Sequence, residues 1–279
     1  MEIINLKFTN NSQNNFTTVY NKNYDNYNFF PTMLEIEIEE NLINLSIDKI
    51  INFISEYEIT FLIDEKEIFH IPINFFISMY SYSLINNYIK IPLNYELFYK
   101  NVFFNQNIEI KIYCDFINND VKLNFNIEIK IKKDEKATIN NEMYYQEIQK
   151  CHIINKNELT ENIEIKNKNL TKGFFFIGVI DDILEIELLL NSEKRFCYNG
   201  IMINLLCTKI NDQMLYVPFD INNNYDDCNF LTYISALNLS RIDLAVFNIK
   251  FKKLSNNLII YTLSCNTYKN DNGNFIKLY

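Results

Sequence analysis

The 279-residue chain has no tryptophan, three alanines, four glycines, four prolines, two histidines and two arginines, and each scarcity removes a class of molecule. Alanine is the best helix former, so a chain almost without it is no large helical bundle. Four glycines, Gly173, Gly178, Gly200 and Gly273, can hardly build a phosphate loop or a dinucleotide fingerprint, and neither motif occurs. A G-x-S-x-G elbow and an H-E-x-x-H zinc helix are missing as well. The histidines, His70 in FHIP and His152 in KCHII, sit among apolar neighbours and read as packed strand residues rather than bases or ligands. These absences predict no catalytic site, no metal and no cofactor.

Basic residues are outnumbered, 26 Lys and Arg against 35 Asp and Glu. The formal net charge is −9 and the pI about 4.9, with Lys and Arg scattered, so the chain has no electrostatic footprint for nucleic acid. The start, MEIINLKFTNNSQ, lacks a basic region followed by an apolar one. The most apolar later stretch, Phe174 to Leu190, is cut by Asp181, Asp182, Glu185 and Glu187, so neither a signal peptide nor a membrane helix is expected. The six cysteines lie ten or more residues apart without a C-x-x-C pair, which predicts free, mostly buried thiols in a reducing compartment.

What the chain does have is 46 Asn, 45 Ile, 23 Phe and 19 Tyr. Asn, Ile, Lys, Phe and Tyr have A/T-rich codons, so much of this bias reads as genome composition, and Asn runs such as Asn222 to Asn224 read as loop drift. The Ile and aromatic content nevertheless favours strands. Apolar and polar residues alternate in Met33 to Glu39, Tyr57 to Ile63, Ile108 to Phe116 and Val121 to Lys132, the mark of half-buried strands. In the last, Val121, Leu123, Phe125, Ile127, Ile129 and Ile131 share one face. The pattern breaks at Lys132 to Asn141 (KKDEKATINN), read as a linker between halves 1–135 and 136–279. It resumes over Glu142 to Ile154, Ile163 to Ile165, Gly173 to Ile180, Ile183 to Leu190, Ile201 to Ile210, Met214 to Val217, Ile242 to Phe251 and Leu258 to Cys265.

Roughly eight strands per half predict an all-β fold of two tandem eight-stranded jelly-roll sandwiches, with helix confined to short connectors such as Leu93 to Phe103. Phe174, Phe175 and Phe176 would alternate in one strand, so burial on both of its faces is expected. The acidic pairs Asp181–Asp182 and Asp226–Asp227 read as solvated turns rather than a cation site or a glycosidase pair.

One segment is specific. Ser235 to Asp243, SALNLSRID, resembles the signature Gly-x-x-Asn-Phe/Leu-Ser-Arg-Ile/Leu-Asp near the end of major capsid proteins of nucleocytoplasmic large DNA viruses. In that family an Asn, a Gly seven residues later and a Tyr six beyond that follow, and Asn266, Gly273 and Tyr279 stand at this spacing. Tyr145 to Gln149 (YQEIQ), Leu170 to Phe176 (LTKGFFF), Phe69 to Phe76 (FHIPINFF) and Ile89 to Phe98 (IKIPLNYELF) are similar to other family strands. Ser235 replaces the family's first glycine, and the chain is shorter than typical members, which implies reduced loops between strands.

The resemblance implies a double jelly-roll capsid subunit that forms homotrimers of pseudo-hexagonal outline and tiles an icosahedral shell. Its implied partners are further copies of itself, other capsid proteins, and an inner membrane reached through those proteins, with no direct nucleic acid. The implied location is the virion capsid, after synthesis in host cytoplasm. A β-sandwich module binding glycan or protein, or a capsid-like assembly scaffold, is the alternative. The signature residues are Asn238, Ser240, Arg241, Asp243, Asn266, Gly273 and Tyr279. Physically, Asn238, Ser240 and Arg241 stand before an apolar strand whose orphan backbone groups their side chains can satisfy. Asp243 is expected on the same strand face as Arg241, which would lock the loop.

Overall fold

A computed structural model describes residues 2–12, 14–20, 27–38, 46–63, 65–93, 108–114, 123–133, 142–154, 158–166, 168–219, 236–253, 258–271 and 274–277. The chain divides into two units, Met1–Met143 with Lys269–Ile276 and Tyr144–Tyr268 with Lys277–Tyr279.

The first unit carries β1 (Glu2–Lys7), β2 (Thr9–Ser12), β3 (Asn15–Tyr20), β4 (Tyr27–Ile38), helix α1 (Ile47–Ile54), β5 (Glu58–Ile63), β6 (Lys66–Pro72), helix α2 (Ile73–Tyr80), β7 (Ser83–Ile85), β8 (Tyr88–Pro92), β9 (Ile108–Tyr113) and β10 (Leu123–Lys133). Its sheets run β1-β10-β4-β8-β7 and β2-β3-β9-β5-β6. The second unit carries β11 (Glu142–Ile154) from residue 144 on, β12 (Thr160–Glu164), β13 (Leu170–Ile177), β14 (Ile183–Leu190), β15 (Glu193–Asn199), helix α3 (Gly200–Leu206), β16 (Thr208–Asn211), β17 (Met214–Pro218), β18 (Leu237–Asn238), β19 (Ala245–Phe251) and β20 (Leu258–Asp271) as far as residue 268, whereas the end of β20 and most of β21 (Asn274–Lys277) are assigned to the first. Its sheets run β11-β20-β13-β17-β16, with β18 on β13 and β21 on β20, and β12-β19-β14-β15.

Set β2, β7, β16, β18 and β21 aside and eight strands remain in each unit. Counted from one to eight along the chain, they lie in the order 1-8-3-6 in one sheet and 2-7-4-5 in the other, in both units. That order is an eight-stranded jelly roll, so the chain is a double jelly roll. The connections repeat too. Helix α1 in the first roll and a 3-10 turn (Ile180–Asp182) in the second join strands three and four; α2 then β7, and α3 then β16, lead into strand six.

Alternation drives this packing. Leu123, Phe125, Ile127, Ile129 and Ile131 of β10 are all buried, while Asn124 is exposed and Asn126, Glu128 and Lys130 are half-buried. Phe125 from one sheet meets Phe16 from the other with ring centroids 4.8 Å apart, and Tyr57 closes the cluster at 5.4 Å from Phe125. Burial pushes the Tyr57 hydroxyl up to about 12, with Cys114 adding to the effect. In the second roll Phe174 sits 4.6 Å from Phe247 and 5.1 Å from Phe219 in edge-on contacts, amid Ile186, Leu188, Ile249 and Ile260. Phe174, Phe175 and Phe176 are each fully buried, so both faces of β13 are covered. Each such side chain contributes about 1.5–3 kcal/mol by leaving water.

The structure corrects several expectations. The apolar run Ile201 to Ile210 is not one strand. Asn199 caps it, its side-chain oxygen accepting the Met202 N–H at 3.4 Å, and α3 forms before β16 begins. Only Asn204, Thr208 and Lys209 are polar in the run, too few to set a strand period along it. The strand expected from Ile242 starts at Ala245, after a 3-10 turn. Asp182 is no solvated turn residue: it is buried, with Lys253 Nζ 3.7 Å from its carboxylate, whereas Asp181 is exposed. Residues 134–141 of the expected linker, 94–103 of the expected Leu93–Phe103 helix, and Asp226–Asp227 lie outside the described residues.

Candidate functional site

The signature segment enters the second roll as β18, which pairs with the start of β13 through Leu170 opposite Asn238 and Thr171 opposite Leu237. The chain then tightens into the 3-10 turn Leu239–Arg241. Asn238 terminates the pairing and caps this turn: its Oδ1 accepts the Ser240 N–H at 3.0 Å and the Ser240 Oγ–H at 2.6 Å. Leu239 points inward, 1% exposed, and its N–H reaches the Asn169 carbonyl at 3.3 Å. Leu237 and Ile242 pack on the same core. A polar residue before and after one inward Leu therefore lets the chain turn without stranding backbone groups.

Two neighbours that the sequence reading did not single out hold the next residues. Lys168 donates from Nζ to the carbonyls of Ile242 at 2.7 Å and Asp243 at 3.3 Å. Asn191, in the turn between β14 and β15, exchanges two bonds with Leu244: its N–H goes to the Leu244 carbonyl at 2.7 Å and its Oδ1 accepts the Leu244 N–H at 3.0 Å. Asn191 and Ser192 adopt φ of 50° and 69°, which Asn tolerates better than most residues. The one sequence signal for Asn191 is that Asn-Ser stands between two strand patterns, a turn by composition.

Arg241 and Asp243 are both exposed, and neither lies on a strand. Among the described residues no ion pair joins them, and the 3-10 turn Leu239–Arg241 stands where the strand register was expected. Asn266 lies within β20, but its side chain, like all of Gly273 and Tyr279, is outside the described residues, as is Ser235.

The electrostatics nearby are those of a solvated sheet face. Lys250 pairs with Glu185 at 2.6 Å and Lys194 with Glu187 at 2.6 Å across β19, β14 and β15. The Lys250 ammonium holds the Glu185 carboxyl below the ordinary carboxylate value, and each lysine is raised by its partner. Cys197 beside them is raised, first by burial and then by Glu185. Burial alone pushes the Cys207 thiol up to about 12. Among the described residues no disulfide joins Cys114, Cys197 and Cys207. Among the described residues no three of His, Cys, Asp and Glu gather as metal ligands would. The Asn238–Leu244 arrangement consists of neutral caps, one lysine on carbonyls and an inward Leu: it positions chain, and it offers no activated nucleophile.

No protein-family model matches the chain, and no curated protein matches it. Solved structures do. A quasi-atomic model of the PBCV-1 virus capsid superposes with a TM-score of 0.64 at 11% identity, covering 100% of this chain and 96% of that one. The STIV MCP gives 0.54 at 9% identity, covering 95% and 97%. The major capsid protein P2 from bacteriophage PM2 gives 0.51 at 10% identity, covering 95% and 98%. At these identities what is shared is the double jelly-roll fold.

Proposed function

We propose that this protein is a viral capsid subunit whose copies associate as homotrimers and tile a shell. One observation carries the reading: a single chain holds two rolls with the same strand order, and solved capsid proteins share that arrangement over nearly their whole length. Two like domains per chain give a trimer six similar sides. Hexagonal tiling then needs only repeated contacts between copies of one gene product. The acidic net charge suits a shell that does not grip nucleic acid itself. In this reading the Asn238–Leu244 segment is a structural lock of the second roll, and Arg241 and Asp243, being exposed, face the surroundings of the subunit. Contact with an inner membrane would pass through other capsid proteins.

Light scattering on the eluting gel-filtration peak tests the proposal, with a mass near three times 33.4 kDa expected. Electron microscopy of the concentrated protein should then show hexagonal tiles. A stable monomer that forms no tiles at any concentration would overturn it, and glycan-array binding by that monomer would favour a recognition module instead.

A further inference from the structure

Of the 46 asparagines only two precede a glycine, in Asn199–Gly200 and Asn272–Gly273, and the first pair stands at the junction of β15 and α3. A glycine after asparagine leaves its backbone nitrogen open to the side-chain amide carbon, because no β-carbon shields the approach. Packing does not require Gly200. A β-carbon on it would meet nothing within 4 Å, in contrast to Gly173, and its φ lies outside the left-handed region.

The junction is open and loosely held. Asn199 and Gly200 are both exposed, and Asn199 is extended at φ −91° and ψ 179°. Its Oδ1 accepts the Met202 N–H at 3.4 Å, longer than the roughly 2.7–3.2 Å of a well-made bond. Gly200 supplies the first N–H of the helix, which has no carbonyl partner inside it. In α3 only Ile203 is buried, Ile201 and Leu205 are 74% and 73% exposed, and a cavity of about 420 Å³ borders Gly200, Ile203 and Asn204. Asn191 is the contrast. It is exposed in a turn as well, but its Oδ1 holds the Leu244 N–H at 3.0 Å and the next residue, Ser192, carries a β-carbon.

We propose that Asn199 is a self-modifying site, converted without an enzyme to aspartate and isoaspartate through a cyclic imide with Gly200. The Gly200 nitrogen gives up its proton and bonds to Asn199 Cγ, the Cγ–Nδ2 bond breaks, and the side-chain nitrogen leaves as ammonia. Water, the one co-reactant, then opens the ring, and nothing is oxidised or reduced. Breaking the bond between the nitrogen and Cγ leaves aspartate in the normal chain. Breaking its bond to the main-chain carbonyl carbon leaves isoaspartate, with the chain routed through the side chain.

Either product adds one negative charge to the formal −9. Aspartate caps a helix about as well as asparagine, so α3 survives that outcome. Isoaspartate lengthens the main chain by one carbon and displaces the cap. It therefore loosens α3 and, behind it, Cys207, whose N–H reaches the Ile203 carbonyl at 3.0 Å.

Purified full-length protein held at pH 8 tests this, with conversion read by peptide mapping in the mass spectrometer and by isoaspartyl methyltransferase labelling. Asn199 should convert before Asn191 or Asn204, and folded chains that carry isoaspartate should label at Cys207 with iodoacetamide faster than unconverted ones. Gly200→Ala has room for its methyl group and favours the helix, and it should slow conversion at least about tenfold, roughly 1.4 kcal/mol on the barrier. Asn199→Asp should keep the wild-type melting temperature. If Asn199 stays intact in the folded chain while it converts in urea, the cap closes the site and the proposal is wrong. Equal rates in wild type and Gly200→Ala, or at Asn199 and Asn191, would overturn it too, and unchanged Cys207 labelling would overturn the loosening of α3.

Discussion

Gly173 and Tyr216 leave no room for a side chain between them. A β-carbon on Gly173 would lie 2.6 Å from the Tyr216 Oη and 2.7 Å from its Cζ, with the Val217 carbonyl oxygen also at 2.7 Å. The glycine stands at the irregularity where β13 shifts register against β20, and Tyr216 packs beside Phe175 with ring centroids 5.1 Å apart. In a chain with four glycines, this one is set by close approach to a neighbouring strand.

Gly173→Ala is therefore expected to destabilise the second roll by about 1–3 kcal/mol, the usual cost of overpacking a filled interior. Removing the phenol oxygen with Tyr216→Phe should rescue only part of the loss, since the Val217 carbonyl remains in the way. Urea unfolding of the single and double variants measures both effects. An unchanged midpoint for Gly173→Ala would contradict the packing described.

The aromatic centre of the second roll should be its costliest truncation. Phe174 is fully buried and touches rings from β19 and from Phe219, so Phe174→Ala should lose about 3–5 kcal/mol. Leu184→Ala, at an exposed position on β14, should stay within about 0.5 kcal/mol. Comparable losses at the two sites would show that burial does not govern this roll.

The lock on the signature segment depends on Lys168 and Asn238 more than on Arg241. Lys168→Ala removes exposed bonds to two carbonyls and should cost about 0.5–1.5 kcal/mol, and Asn238→Ala removes a cap worth about 0.5–2 kcal/mol. Arg241→Ala, at an exposed turn position, should change stability by less than about 0.5 kcal/mol. Melting temperatures of the three variants decide the order. A fall in melting temperature for Arg241→Ala larger than for Lys168→Ala would reverse the assignment.

The Glu185–Lys250 pair sets a pH window. The folded carboxyl is lowered, so its contribution is complete above the ordinary value of 4.5 and is lost as pH falls through the lowered one. The folded ammonium is raised, so its contribution is complete below 10.5 and is lost as pH rises through the raised value. Glu185→Gln should cost about 0.2–1 kcal/mol at neutral pH, in keeping with the pair's exposure, and less in acid. Denaturant titrations at pH 3 and pH 7 compare the two; an equal cost at both would rule the pair out as a contributor.

Thiol labelling should separate the cysteines. With its thiol pushed up to about 12 and its side chain buried, Cys207 holds almost no thiolate at pH 8 and should react with iodoacetamide only on unfolding. Half-buried Cys197 should label sooner. Peptide mapping after timed labelling reads the order, and prompt reaction of Cys207 in the native protein would contradict its burial.

Legibility in the sequence followed the length over which a pattern repeats. β10 alternates for its whole length, so its buried face could be read residue by residue, and Phe174 to Phe176 could be read as buried on both sides of a strand. Ile201 to Leu206 could not, because a short run that is apolar except for Asn204 fits a strand or a helix equally, and the Asn199 cap goes with the helix. Arg241 and Asp243 were misplaced for a related reason: two residues apart means the same face only if the strand has already begun, and here a 3-10 turn intervenes.

By itself, the sequence determined that this protein is all-β, acidic and poor in histidine, because composition and period-two alternation are local properties. The repeated strand order of the rolls, the lysine that holds the signature loop, the contact that makes Gly173 necessary and the outward apolar face of α3 were decided only by the tertiary structure. Each joins residues far apart in the chain, and which distant strands pair is a matter of how two sheets close over one core, which no local pattern encodes.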